Sequence, residues 1–161
     1  MATFQIRTAE LTDMVALGDV FRRSSLSNEG DRPSLMAHPE VLELSDVAVR
    51  EGRTRAAVSG DVILGFATWL TADEAGDTIE VDDLFVDPDW MRRGVARALM
   101  QDLVGIARSR GARRLEVTAN EHADAFYTSV GFVRDGDVQT RFGPAPRMHL
   151  DLESRRPGQL R

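Results

Sequence analysis

The stretch with the most chemical information runs from Leu84 to Arg97, where a predicted strand turns into a predicted helix that opens with Arg-Arg-Gly-Val-Ala-Arg. The first turn of a helix has unpaired backbone N–H groups and the positive end of the helix dipole. Gly94 and Ala96 carry no side chain that would keep a phosphate away from those N–H groups, and arginines flank them. The segment Arg92–Arg97, called the cradle below, therefore predicts a site for phosphate or pyrophosphate.

Two other phosphate-binding motifs are excluded. The dinucleotide fingerprint needs Gly-x-Gly-x-x-Gly directly after a strand, whereas Leu84–Arg97 holds one glycine, placed after a turn. A Walker-type loop needs a lysine on the phosphates, and all 20 basic residues of this chain are arginine. The absence of lysine also excludes Schiff-base chemistry on a lysine side chain.

Charge is unevenly distributed along the chain. The net charge is −6, yet residues 92–114 hold seven arginines against one aspartate, which leaves about −12 on the rest. A basic island in an acidic protein favours a small polyanionic ligand over a long polyanion. A nucleic-acid-binding function through Arg108–Arg114 is therefore disfavoured, and no nucleic-acid partner is expected.

Length and composition indicate one domain over residues 1–152, followed by a flexible tail over 153–161. The chain has no cysteine, and its three histidines, His38, His122 and His149, are too far apart for metal-ligand spacing. No secretory signal or membrane-spanning run is apparent. We therefore expect a cytoplasmic protein with no metal and no membrane partner.

Hydrophobic periodicity and turn signals predict the element order β-α-α-β-β-β-α-β-α-β-β, an α/β domain around a mostly antiparallel sheet. The strands are predicted at Thr3–Arg7, Arg53–Ser59, Val62–Leu70, Thr78–Val86, Leu115–Ala119, Phe132–Phe142 and Met148–Leu152. The helices are predicted near Thr12–Arg23, Ser34–Leu44, Arg92–Arg110 and Glu121–Val130.

Two motifs resemble signatures of the GNAT superfamily, the acyl-CoA-dependent N-acyltransferases. The segment Met91–Ala96 is similar to the family's Gln/Arg-x-x-Gly-x-Gly/Ala, with Met91 where the family usually has Gln or Arg. The segment Phe126–Phe132 is similar to the family's Phe-Tyr-x-x-x-Gly-Phe. The motifs come in the family's order, and the predicted elements match the family fold along nearly the whole chain.

The resemblance implies a single-domain GNAT-like α/β (α+β) fold, with helices on both faces of a mixed, mostly antiparallel sheet. It implies acetyl-CoA as cosubstrate, with the end of the fourth strand pairing with the pantetheine arm and the cradle N–H groups holding the pyrophosphate. The residues implied to bind the cofactor are Leu84, Phe85, Val86, Met91, Arg92, Arg93, Gly94, Val95, Ala96, Arg97, Asn120 and Phe126.

The resemblance also implies that Tyr127, the only tyrosine, is the general acid that protonates the departing thiolate. The base is left open. Glu80 is the first candidate, at the place of the catalytic glutamate in the histone-acetylating branch, and Asp82 shares its strand face. Asp83 and an ordered water are also candidates for the base.

The expected activity is transfer of an acetyl group to a primary amine, on a small molecule, a peptide N-terminus or a lysine. In such folds the acceptor pocket is built by the loop after the first helix, here Ser24–Glu40, and by the last strands. The polar groups there are Asn28, Glu29, Asp31, Arg32, His38, Arg141, Arg147 and His149, which suit either a cationic or an anionic acceptor. A homodimer is possible, and the alternative function is a non-catalytic acyl-CoA-binding or sensing module.

Overall fold

The computed structural model describes residues 3–120 and 122–152, so the predicted tail at 153–161 lies outside the described residues. The strands are β1 (Gln5–Thr8), β2 (Thr54–Ser59), β3 (Val62–Thr71), β4 (Thr78–Val86), β5 (Arg114–Thr118), β6 (Val133–Thr140) and β7 (Gly143–Asp151). The α-helices are α1 (Met14–Leu26), α2 (Arg32–Ala37), α3 (Val47–Arg50), α4 (Val95–Ser109) and α5 (Asp124–Ser129). Within the described residues, no helix is both long enough and apolar enough to cross a membrane.

The seven strands form one sheet in the order β1-β2-β3-β4-β5-β7-β6. The pairs β1–β2, β2–β3, β5–β7 and β6–β7 are antiparallel, and β4–β5 is parallel. The predicted seven-stranded, mostly antiparallel sheet is confirmed, and the predicted element order holds with one addition, the short α3. The chain divides into two compact units, Met1–Trp69 with Asp83–Asp102, and Leu70–Asp82 with Leu103–Arg161. The single domain over 1–152 stays a prediction.

The core of the first unit lies between α1 and the strands β2 and β3. Leu17 and Val20, three residues apart on one face of α1, are buried in the same cluster as Ala56 of β2 and Phe66 of β3. Phe85 of β4 packs against this cluster. The end of β4 is therefore held by apolar contacts with the first unit's own elements.

The second unit has a sheet with one apolar and one charged face. Ile79 of β4 is registered with Leu115 of β5, and both are buried. Between such apolar pairs, Glu80 is registered with Glu116, which is registered with His149 of β7. Because side chains alternate between the faces of a strand, these three polar residues share the face opposite the core.

A hydrogen-bonded ion pair joins β2 to α4 within the first unit. The Arg55 guanidinium donates to both carboxylate oxygens of Asp102, at 2.8 and 3.0 Å, and a further hydrogen bond reaches Thr8 Oγ1 at 2.7 Å. Both partners are about four-fifths buried. This geometry is stronger than that of an exposed ion pair, because little solvent screens it.

We expect Arg55→Met to lower the free energy of unfolding by about 1.5–3 kcal/mol, because Asp102 would keep its charge and lose two charged hydrogen bonds. Urea denaturation measures this change. The matched control is Arg50→Met, which removes an exposed pair with Asp46 on α3 and should cost less than about 0.5 kcal/mol. Equal losses for the two variants would contradict a stabilising role for the Arg55 pair.

Candidate active site

The cradle adopts a left-handed turn before α4. Arg92 has φ +63° and Gly94 has φ +84°, a conformation that a residue with a side chain rarely adopts. A Cβ built on Gly94 would meet no atom within 4 Å. The helix itself begins at Val95 and not at Arg92 as predicted. Left-handed residues before a helix turn successive N–H groups toward one side, which suits an anion.

Positive charge surrounds the cradle, and the residues that the structure describes do not neutralise it through ion pairs. Arg92, Arg93 and Arg97 are exposed, and no carboxylate within residues 3–120 and 122–152 pairs with any of them. Arg93 lies over the Trp90 ring, 4.9 Å from its centroid, which orients the guanidinium without neutralising it. In a chain with net charge −6, three guanidinium groups at one helix N-terminus suit an anionic ligand when no carboxylate of the described part of the chain pairs with them.

The turn leading into the cradle is held by a network that the sequence did not predict. Arg23 of α1 donates hydrogen bonds to the carboxylates of Asp87 and Asp89, and the hydrogen bond to Asp89 is the main cause of the raised pKa of Arg23. Asp87 accepts the Asp89 N–H at 2.9 Å, so it caps the 3₁₀ turn Pro88–Trp90 and not α4. Arg23 and Asp87 are 64 residues apart, a distance at which spacing gives no signal.

The end of β4 continues beyond its pairing with β5. The registered pairs run from Thr78 to Val81, and the strand then extends to Val86. The Phe85 ring packs against Phe21 of α1, with centroids 4.8 Å apart. A Cβ at Gly65 would lie 2.8 Å from the Phe85 carbonyl oxygen, so glycine is required where β3 passes this strand. The backbone of the predicted pantetheine-binding residues is thus fixed by packing.

Tyr127 lies in the second unit, on α5. It is 5% exposed, and its ring makes edge-to-face contacts with Phe126 and Phe132, at centroid distances of 5.3 and 5.2 Å. Asn120 precedes α5, and its Oδ1 accepts the Ala123 N–H at 2.8 Å. The two aromatic contacts fix the orientation of the phenol ring.

Glu80, the first candidate base, is held by Arg147 of β7. The guanidinium donates to both Glu80 oxygens, at 2.6 and 2.7 Å, and also to Glu116 at 2.6 Å. The Glu80 hydrogen bonds are the main cause of the raised pKa of Arg147. Asp82, two residues further along β4, is exposed. The sequence analysis placed Arg147 among the acceptor groups and did not predict this pair, because its two residues are 67 positions apart in the chain.

Other predicted acceptor groups also have internal partners. His149 Nδ1 is 2.8 Å from both carboxylate oxygens of Asp135. His38 Nδ1 lies 3.4 Å from Glu40 Oε1. Within the described part of the chain, no group of three or more histidine, aspartate or glutamate residues could hold a metal ion.

The fold is that of solved N-acetyltransferases. PaiA N-acetyltransferase from Thermoplasma acidophilum, in complex with coenzyme A, superposes with a TM-score of 0.70 over 94% of this chain and 100% of its own, at 14% identity. The sequence model described as the Acetyltransferase (GNAT) family matches residues 21–132. This chain belongs to that family.

Curated relatives match parts of the chain. N-alpha-acetyltransferase RimI of Mycobacterium tuberculosis is 40% identical over 85 residues, which cover 50% of this chain and 51% of that protein. Mycothiol acetyltransferase of Beutenbergia cavernae is 36% identical over 109 residues, covering 60% of this chain and 36% of the relative. The chain thus spans about a third to a half of the length of these two relatives.

Proposed function

We propose that the chain is an acyl-CoA-dependent N-acetyltransferase that transfers the acetyl group of acetyl-CoA to a primary amine by direct attack. The observation that carries this function is the cradle, a left-handed turn at a helix N-terminus with three arginines that pair with no carboxylate of the described residues. Membership of the Acetyltransferase (GNAT) family supports it, as does the coenzyme A complex of the similarly folded PaiA enzyme.

The residues present fit coenzyme A. Open space in front of Gly94 and the exposed arginines suit its pyrophosphate, and the extended backbone of Leu84–Val86 suits the amides of its pantetheine arm. Met91 is 44% exposed beside the cradle, Val95 is buried and Ala96 is half-buried. We place Asn120 and Phe126 near the thiol end.

The bound cosubstrate supplies an activated thioester. In the transfer, the acceptor nitrogen forms a bond to the acetyl carbon, and the carbon–sulfur bond breaks. Tyr127 gives its phenolic proton to the leaving thiolate, which has comparable basicity. Glu80, Asp82 or a water takes the proton that the nitrogen loses. The acceptor is a small-molecule amine, a peptide N-terminus or a lysine, and a homodimer and a cytoplasmic location stay predictions.

Thermal unfolding with acetyl-CoA, coenzyme A, NAD or no ligand tests the proposal. Each coenzyme A species at about 100 times its Kd should add about 2.7 kcal/mol, raising Tm by about 5–10 °C. NAD, which has a pyrophosphate but no pantetheine arm, should leave Tm unchanged. If neither coenzyme A species shifts the Tm of folded protein, the cradle is not a cofactor site and the proposed function is wrong.

A further inference from the structure

The Arg147 guanidinium joins three strands on the charged face of the second unit. Its Nη1 donates to Glu80 Oε1 at 2.6 Å and to Thr118 Oγ1 at 3.0 Å. Its Nη2 donates to Glu80 Oε2 at 2.7 Å and to Glu116 Oε2 at 2.6 Å. Four hydrogen bonds use the four Nη hydrogens, so the guanidinium has one orientation and cannot use them to receive a carboxylate from a substrate.

The charged groups that face Glu80 include a second carboxylate, which Arg147 separates from it electrostatically. On β5, Glu116 is its registered neighbour and also lies 3.5 Å from Arg114. On β7, the facing groups are Arg147 and the His149 that is registered with Glu116. On β4 itself the next charged residue of this face is Asp82, while β3 carries no charged residue. Like charges directly opposite on neighbouring strands repel, and Arg147 is the cation that bridges the two glutamates.

We propose that Arg147 is a positioning residue that acts through Glu80, holding its carboxylate in one orientation to receive the proton of the acceptor amine. The inference rests on the proposed function and deepens it, because it assigns the role of general base to Glu80 among the candidates. A carboxylate has about four lone-pair sites, and the bidentate pair with Arg147 uses two of them. Each Glu80 oxygen therefore keeps a lone pair for the proton, and a base oriented by a third group is a recurring catalytic arrangement.

The test compares kcat/KM against pH for wild type, Arg147→Gln, Glu80→Gln and the double variant, after wild-type turnover has been established. Arg147→Gln should lower kcat/KM for the acceptor by about tenfold and leave KM for acetyl-CoA unchanged. The acid limb of its kcat/KM–pH profile should move to higher pH, because the Glu116 carboxylate then faces Glu80 without the cation that bridges them. Glu80→Gln should remove that limb, and the double variant should be no worse than Glu80→Gln alone, because Arg147 acts through Glu80.

Two further variants separate positioning from folding. Arg147→Lys keeps the positive charge and loses the planar, two-pronged hydrogen-bonding geometry of the guanidinium. The acid limb of its kcat/KM–pH profile should therefore stay near the wild-type pH, while kcat/KM falls less than in Arg147→Gln. Arg7→Gln is the matched control, because Arg7 makes a bidentate pair with Asp13 at 2.7 and 2.9 Å on the first unit and should leave the limb in place. If Arg147→Gln does not fold, the coupling is tested with Arg147→Lys: its double variant with Glu80→Gln should be no worse than Glu80→Gln alone.

Three results would overturn the inference. The acid limb of the kcat/KM–pH profile could stay unmoved in folded Arg147→Gln, or the losses of kcat/KM could be additive in the double variant. The third is an acid limb that disappears in Asp82→Asn and persists in Glu80→Gln. Each of these can occur while coenzyme A still raises Tm and the wild type still turns over. The failure of the Arg147 role is thus distinguishable from the failure of the proposed function.

Discussion

Tyr127→Phe is expected to lower kcat by about 10²- to 10⁴-fold, the usual contribution of a positioned general acid. The substitution removes one hydroxyl and keeps the ring that packs edge-to-face between Phe126 and Phe132. The fold and the affinity for coenzyme A should therefore remain. Release of free thiol measures turnover, and thermal unfolding with coenzyme A measures binding on the same preparation.

The outcomes distinguish the two functions that the sequence favours. Full turnover in Tyr127→Phe would show that another group protonates the thiolate. If the wild type binds coenzyme A and releases no thiol with any amine of a broad panel, the chain is an acyl-CoA-binding or sensing module. The matched control is Phe132→Leu, which removes a ring contact of Tyr127 without removing the hydroxyl, and it should reduce turnover far less than Tyr127→Phe does.

Gly94→Ala is expected to weaken coenzyme A binding by about 10- to 100-fold, equivalent to losing one hydrogen bond to a charged group. The added Cβ would occupy the open space in front of the cradle, and it would also strain the left-handed backbone at φ +84°. That strain should cost about 1 kcal/mol of folding free energy. Isothermal titration calorimetry with coenzyme A gives the affinity.

Gly76 provides a control with nearly the same backbone. Its φ is +74°, a Cβ there would also meet no atom within 4 Å, and it lies in the turn between β3 and β4. Gly76→Ala should thus lose a similar folding free energy and keep its full affinity for coenzyme A. Equal affinities for the two variants would mean that no phosphate is held in front of Gly94.

Elements with a strong local pattern were predictable from the sequence. The alternating run Thr78–Val86 is a strand with the predicted bounds. The predicted helix at Ser34–Leu44 is wrong in extent, because the helix ends at Ala37 and a 3₁₀ turn follows from Pro39. Proline disfavours helical geometry in the residue before it, and His38 has φ −130° and ψ 67°. The pattern of apolar residues bridged this break because a 3₁₀ turn keeps a similar spacing.

The start of the last strand was also predicted incorrectly, for a different reason. It was predicted to begin at Met148, whereas β7 begins at Gly143 and includes Pro144 and Pro146. Proline lowers the expectation of a strand because it cannot donate a backbone hydrogen bond. Here the prolines face β6 in registered pairs with Gln139 and Asp137, a tertiary arrangement that local propensity does not contain.

The candidate site likewise has a part that the sequence predicts and a part that it does not. The cradle was predictable because its residues are contiguous, and the N–H groups of a helix start depend on the local backbone. The ion pairs were not predictable from the sequence, because Arg23 meets Asp87 and Arg147 meets Glu80 only after the chain has folded. Such pairs depend on the register of strands and helices far apart in sequence.

The use of arginine for every cation at the cradle has a chemical consequence for the proposed acetyl transfer. A guanidinium stays protonated below about pH 12, so it has no free lone pair with which to attack a thioester. A lysine in the same place would lose its proton near pH 10.4 and become an acceptor itself. The 161 residues contain no lysine, so no ε-amine of this chain competes with the substrate for the acetyl group. The cradle can therefore keep its charge in alkaline solution, where more of the acceptor amine is neutral and reactive, without being acetylated.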